Sequence, residues 1–499
     1  MGGSRREKVK LYRADAETCR AHPAGICYPS RSAGVEHDRT AAVIRTQTHV
    51  EHVFSPLDGA TLSLLWGLPF AGLLLSIALV PLFAPKLWHD HYDKVAAMWA
   101  LGLLVPFVAA FGTAETLHNV AHAILLEYIP FLAMLFALFT IAGGICFRGA
   151  LAGTPAVNTG LLALGTCLAS VMGTTGAAML LIRPLLTANE SRRHKVHTVL
   201  FFILLVGNVG GALSPLGDPP LFIGFLKGVD FFWTTRALAM PTLFLVVALL
   251  ALFYAVDWVL HRREPARAAP PPGPARLSVE GVPNFLLLAG VIAAVLVSGV
   301  WNPGIAFDVA GAHIELQDAM RNLLLLLLGG ASLVITPAAV REHNQFHWAP
   351  IIEVAKLFAA IFLTIFPVLA ILEAGRAGAL HGIFEFVGDG AGNPRNVMVF
   401  WATGLLSAFL DNAPTYLVFF NLAGGDAQKL MGEYAPSLAA LSMGAVYFGA
   451  LTYIGNAPNF MIKAIAEDRG VAMPSFFAFF AYAAIVMLPL LAVVAAVWL

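Results

Sequence analysis

The sequence predicts an all-α, polytopic membrane protein built as two inverted repeats, each with five crossings, one re-entrant hairpin and one discontinuous helix. Three observations predict it. Of 499 residues, 59% are hydrophobic and only 12% are charged, about half the charged share of an ordinary soluble domain. Apolar stretches of about 20 residues, enough to cross a hydrocarbon core of about 30 Å, recur from Thr61 to the C-terminus. Several of these stretches are interrupted by glycine, proline and polar residues, at matching places in the two halves of the chain.

Residues 1–55 are polar, rich in Arg, His and Ala, and carry neither helical periodicity nor a signal-peptide pattern, so a disordered tail is expected there. The N-terminal repeat, 56–261, opens with crossings at 61–83, 95–111 and 128–147. The apolar run 156–186 is too long for one crossing and too short for two, and Gly173-Thr174-Thr175-Gly176 interrupts it. Polar, irregular backbone at membrane depth survives only where protein buries it or it lines a cavity, which predicts a re-entrant hairpin. The run 199–226 breaks at Ser214-Pro215-Leu216-Gly217-Asp218-Pro219-Pro220, a cluster that no continuous helix accommodates. A crossing at 238–260 and a Pro-rich, semi-rigid linker at 262–282 close this half.

The C-terminal repeat, 283–499, follows the same plan. Crossings are expected at 285–300, 323–335 and 351–372, then a hairpin over 397–422 interrupted at Asp411-Asn412-Ala413-Pro414-Thr415. A broken helix over 438–465, with its break at Thr452-Tyr453-Ile454-Gly455-Asn456-Ala457-Pro458-Asn459, and a crossing at 476–498 complete it. Residue types align the halves directly: the segment starting at Ser170 lies over that starting at Ser407, and Gly211 over Gly449, the second pairing shifted by one residue. Asp218 then falls opposite Asn456, and Asp411 opposite Thr174. An odd number of crossings inverts the second half. The positive-inside rule gathers Lys86, Lys94, Arg192, Arg193, Lys195, Arg262, Arg263, Arg267 and Arg276 in the cytoplasm, with both termini outside.

Paired interruptions of this kind point to the binding site of a transporter. Each break exposes carbonyls at one half-helix end and N–H groups at the other, giving the membrane interior partial charges of both signs. Thr174, Thr175, Ser214, Asn412, Thr415, Thr452, Asn456 and Asn459 add hard oxygen ligands of the kind Na⁺ prefers. Asp218 and Asp411 are the most diagnostic residues, because an acid deep in a membrane costs about 2.5 to 3.5 kcal/mol. Desolvation favours the neutral form of a carboxylic acid, so acids placed there can exchange a proton for a cation. Each could instead cap the half-helix that begins beside it.

Other polar residues fit structural roles. Arg183 is expected to reach an interface, Glu127 and Glu353 to anchor the third and eighth crossings, and Lys356, one turn after Glu353, to offer an ion pair. His89, His91, His118 and His122 read as solvated helix ends, and the four cysteines show no CxxC spacing. No nucleophile–base pair or metal motif suggests an enzyme, and the zero net charge without a basic patch excludes a nucleic-acid partner.

At Ser214-Pro215-Leu216-Gly217-Asp218-Pro219 and Asp411-Asn412-Ala413-Pro414-Thr415 the chain resembles the ion transporter superfamily, and more narrowly its arsenite-permease and NhaD-type sodium/proton antiporter branch, whose members are sometimes described as citrate transporters. The resemblance covers residues 62–499. It implies a scaffold and a moving transport domain with elevator-type alternating access, commonly as a homodimer in membrane lipid, in a bacterial inner membrane. The hairpin tips depart from the Ser-Asn-Thr pattern of the dicarboxylate symporters. The expected activity is therefore Na⁺ (or Li⁺)/H⁺ antiport, with Asp218 and Asp411 exchanging proton for cation and no cofactor. The alternative is cation-coupled transport of citrate or another small organic anion.

Overall fold

The fold is given by a computed structural model in which residues 57–149, 151–264, 278–383 and 395–499 are described. The expected N-terminal tail and most of the Pro-rich linker lie outside these residues. Among the described residues, nine helices are long and apolar enough to cross a membrane.

A short 3₁₀ turn, Leu64–Gly67, leads into α1 (Leu68–Phe83). Next comes α2 (Pro85–His122), which Gly112 interrupts with φ 85° and ψ 168°, values a residue with a Cβ avoids. One turn of π-helix, Ala123–Tyr128, joins α2 to α3 (Ile129–Gly143). With the break at Gly112, the 59-residue element from Pro85 to Gly143 is not one straight helix.

The first hairpin is α4 (Pro155–Met172) and α5 (Thr174–Ala188), joined by Gly173 alone. The sequence places a four-residue interruption there; in the structure Thr174 already starts the return helix. The broken helix that follows is α6 (Val196–Leu205), a 3₁₀ segment at Val209–Leu213, and α7 (Pro219–Leu226). After it, α8 (Trp233–Arg262) crosses in one piece.

In the second half, α9 (Pro283–Val300), α10 (Leu316–Ile335), the short α11 (Ala338–His343) and α12 (Ala349–Glu373) precede the second hairpin. That hairpin is α13 (Asn396–Leu410) and α14 (Asn412–Leu422), joined by Asp411 alone. The short α15 (Ala427–Met431), the broken pair α16 (Ala435–Phe448) and α17 (Ala457–Asp468), and finally α18 (Phe476–Trp498) end the chain.

Two antiparallel ribbons qualify the all-α expectation. Cys146–Arg148 pairs with Ser278–Glu280, and Ala306–Val309 with Ala312–Glu315. Both lie in connections between helices, where three or four residues carry no apolar period to reveal them.

The two interrupted regions share one local construction. Gly173 (φ 82°, ψ 151°) and Asp411 (φ 76°, ψ 145°) have the same backbone, as do Asp218 (φ −142°, ψ 140°) and Asn456 (φ −155°, ψ 139°). The Ser214 hydroxyl donates to the Ser170 carbonyl, and the Thr452 hydroxyl to the Ala408 carbonyl at 2.5 Å. Every such pair lies 238 positions apart. This corrects the alignment read from residue types: Asp411 stands opposite Gly173, not Thr174, and Asn412 stands opposite Thr174. Glycine is required inside both breaks, since a Cβ on Gly217 would sit 2.1 Å from the Gly211 carbonyl oxygen and one on Gly455 2.8 Å from that of Gly449.

Candidate functional site: a carboxylate shared by both halves

Asp218 ends the first break, and the two residues after it are prolines. Pro219 and Pro220 have no N–H to offer and the Leu221 amide donates to the Asp218 main-chain carbonyl at 3.1 Å, so the carboxylate makes no cap bond to the helix it precedes. Its acceptor capacity goes elsewhere. Oδ2 accepts from Asn412 Nδ2 at 2.7 Å; Oδ1 accepts from Asn456 Nδ2 at 3.0 Å and from the Thr174 hydroxyl at 3.4 Å. Both hairpin tips and the opposite break thus converge on one acid that is 1% exposed.

Asn208 extends this network and escapes a reading of the sequence. Its carboxamide donates to the Ile203 carbonyl and to Asn459 Oδ1, both at 2.8 Å, and accepts from Asn456 Nδ2 at 3.3 Å. It stands at the end of an apolar run, between Gly207 and Val209-Gly210-Gly211, so the glycines mark a break there but not the role of the amide; its importance comes from partners about 250 positions away.

The amide oxygens of Asn412 and Asn456 face no donor. Each is buried and accepts no hydrogen bond from the described residues. Because both amides turn their nitrogen to Asp218, both oxygens are left over, and a buried unpaired acceptor costs about 1 to 3 kcal/mol. Two hard oxygens and a carboxylate form a donor set suited to a small cation.

The remaining predicted residues fall into two groups. Thr175 and Asp411 line the adjoining cavity with Thr174, Asp218 and Asn456. Asp411 behaves as a cap: its carboxylate accepts from the Ala413 amide at 3.4 Å and its carbonyl from the Thr415 hydroxyl at 2.8 Å. Ser214, Thr415 and Thr452 are committed to backbone, and Asn459 to backbone and Asn208. Thr452 also accepts from the amides of Ile454 and Gly455 at 3.2 and 3.0 Å, and Asn459 donates to the carbonyls of Gly449 and Thr452, both at 2.8 Å. These four brace the breaks rather than face the cavity.

The cavity has a volume of about 440 Å³, within the range of small-molecule sites. One wall is α3, α12 and the facing parts of α1 and α2; the other is the two hairpin tips with α7 and α17. At its rim stand His89, His347, Ala349 and Asp468, which are exposed, whereas Phe131, Met134, Phe222 and Ile361 at its depth are 1 to 2% exposed. Four helices begin at this floor, α5, α7, α14 and α17, and their N-terminal dipoles favour negative charge. Only α5 starts without proline in its first turn, and with the Thr174 amide already donated to the Gly217 carbonyl at 2.9 Å, Thr175 and Gly176 are left as its backbone donors.

Some supporting residues are placed differently from expectation. Lys356 pairs with Asp93 at 3.1 Å rather than with Glu353. Arg183 is 8% exposed and donates to Gln345 Oε1 at 3.1 Å, so it is enclosed by protein instead of reaching lipid headgroups. Glu127 pairs with Lys227 at 2.5 Å.

Multiple crossings, broken helices and a polar site enclosed between them define a multi-pass membrane transport protein. Residues 59–499 match the family described as "Putative citrate transport", and the chain belongs to that family, a family of transporters, not enzymes, within the ion transporter superfamily. No curated protein matches the chain.

Proposed function

We propose that this protein is a secondary active transporter that moves citrate or a related small carboxylate, driven by a co-bound cation, through alternating access of two inverted repeats. The observation that carries the reading is the Asp218 network with its two unpaired amide oxygens. A polycarboxylate does not settle beside Asp218 and Asp411 without a positive charge between them. The cation held by Asp218, Asn412 and Asn456 supplies that charge, and the α5 N-terminus holds the anion on the cavity side. Coupling follows: the anion binds well only when the cation is present. Family membership supports the substrate class. The constant 238-residue spacing of matched backbone supports the repeat, and its inversion follows from the five crossings per half expected from the sequence, in a bacterial inner membrane and with the elevator motion and homodimer that the superfamily resemblance implies.

The test is uptake of labelled citrate into proteoliposomes under imposed Na⁺ and proton gradients. Uptake that rises with either gradient supports the proposal. Absence of uptake under every gradient overturns it.

One observation favours a second reading, Na⁺ or Li⁺/H⁺ antiport as in the NhaD-type branch. The described cavity lining holds Asp218, Asp411, Glu353 and Asp468 but no lysine or arginine, which suits a cation as the sole cargo. Collapse of a pH gradient by Na⁺ or Li⁺ in the same vesicles, with no citrate present, would decide for it.

A further inference from the structure

At the end of α7, Lys227 reaches across to Glu127, Nζ to Oε1 2.5 Å. The two belong to opposite walls of the cavity. α7 runs outward from Asp218 on the site-bearing wall, and Glu127 lies in the π-helical turn that feeds α3 on the other wall. α12 fixes which side of the membrane they occupy. Its first residue, Ala349, stands at the cavity rim, while Glu373 at its far end is close enough to interact electrostatically with both Lys227 and Glu127. At 1.5 Å per residue its 25 residues span about 37 Å, so the ion pair sits on the side away from the mouth. Between pair and cavity lies an aromatic layer: Phe131 stacks on Phe358 at 4.5 Å and meets Phe362 edge-on at 5.9 Å. The π-turn is itself informative, since such turns are rare and are frequently found at functional sites.

We propose that Lys227 and Glu127 form an ionic latch that holds the two walls together on the side opposite the mouth, and that this latch must open whenever the site is exposed to that side. The inference rests on the alternating-access reading and adds to it the contact that sets the resting state. Glu127 and Lys227 touch neither the cavity nor Asp218, so they act on which side the site faces and not on its chemistry. His122, in the turn before Glu127, and Glu373 are the other titratable groups that interact electrostatically with the pair.

The experiment reads accessibility without substrate. Cys19, Cys27, Cys146 and Cys167 are replaced by alanine, and Thr175→Cys on the cavity floor is exposed to a membrane-impermeant maleimide in vesicles of both orientations, with His347→Cys marking the mouth side. The parent should label at Thr175→Cys from the mouth side only. Glu127→Gln and Lys227→Met should each raise labelling from the opposite side by about tenfold, and the charge-swapped pair Glu127→Lys with Lys227→Glu should return it to the parent level. Unchanged far-side labelling in both single variants, a swap that does not restore closure, or a parent that labels equally from both sides overturns the latch. Citrate uptake by the protein with Thr175 intact, in vesicles of the same lipid, separates this failure from failure of the transport reading.

Discussion

The carboxamide of Asn412, at the tip of the second hairpin, donates to the carboxylate of Asp218, in the break of the first half, across 2.7 Å and 194 positions of sequence. Neither residue has a local reason to be where it is. Asp218 makes no side-chain bond to the helix it precedes, and Asn412 opens a helix with its oxygen unpaired.

Asp218→Asn keeps the shape and removes the charge. Three donors now face an amide that offers one acceptor oxygen and two N–H groups. Transport should fall at least about a hundredfold, because the cation loses its one fully buried anionic ligand. Citrate uptake in proteoliposomes checks this; activity within threefold of the parent would remove Asp218 from the coupling site.

Asn412→Ala and Asn456→Ala each delete one unpaired oxygen together with one donor to Asp218. The cation concentration giving half-maximal uptake should rise roughly tenfold for each, the effect of losing about 1.4 kcal/mol of binding. The citrate concentration dependence at saturating cation should stay close to the parent's. An equal rise in both would mean that the amides serve the anion or the fold instead.

Thr452→Val separates bracing from binding. The hydroxyl donates to Ala408 and accepts from two amides in a fully buried setting, so its loss should cost roughly 1 to 3 kcal/mol of stability. The apparent melting temperature in detergent should drop, while the half-maximal cation concentration of the surviving protein stays unchanged.

Far from the site, Arg192 and Asp257 form an ion pair with both side chains fully enclosed, joined by Asn158, which donates to Asp257 at 2.9 Å, and by His197 on the other carboxylate oxygen. The pair ties the base of the first hairpin to α8. Asp257→Ala removes the nearer of two carboxylates on the guanidinium, Glu264 staying at 3.4 Å, and should destabilise the protein by about 3 kcal/mol, whereas the double replacement Arg192→Met with Asp257→Leu should recover most of that loss. Thermal melts of the three variants test it.

The positions of the interruptions were legible because their residues are chemically blunt: clustered prolines and glycines cannot continue a helix, and acids cannot lie in lipid without a reason. The bounds of α18 match the expected 476–498, where an unbroken apolar run leaves little choice. The register between halves was not legible. Ser170 over Ser407 is an attractive identity, yet backbone equivalence pairs Ser170 with Ala408, because a left-handed residue is normally announced by glycine and here one copy carries aspartate. The division of labour among the hydroxyls and amides was also hidden. Whether a threonine faces a cavity or a carbonyl depends on a helix face that a broken segment, lacking a period, does not declare.

Asp411 sits at φ 76° and ψ 145°, territory that glycine occupies freely and that costs other residues about 1 to 3 kcal/mol. Gly173 fills the matching place without that burden. A library selected only for survival of heating should therefore drift to glycine at 411 and yield a tougher membrane protein that has surrendered one acid of its floor.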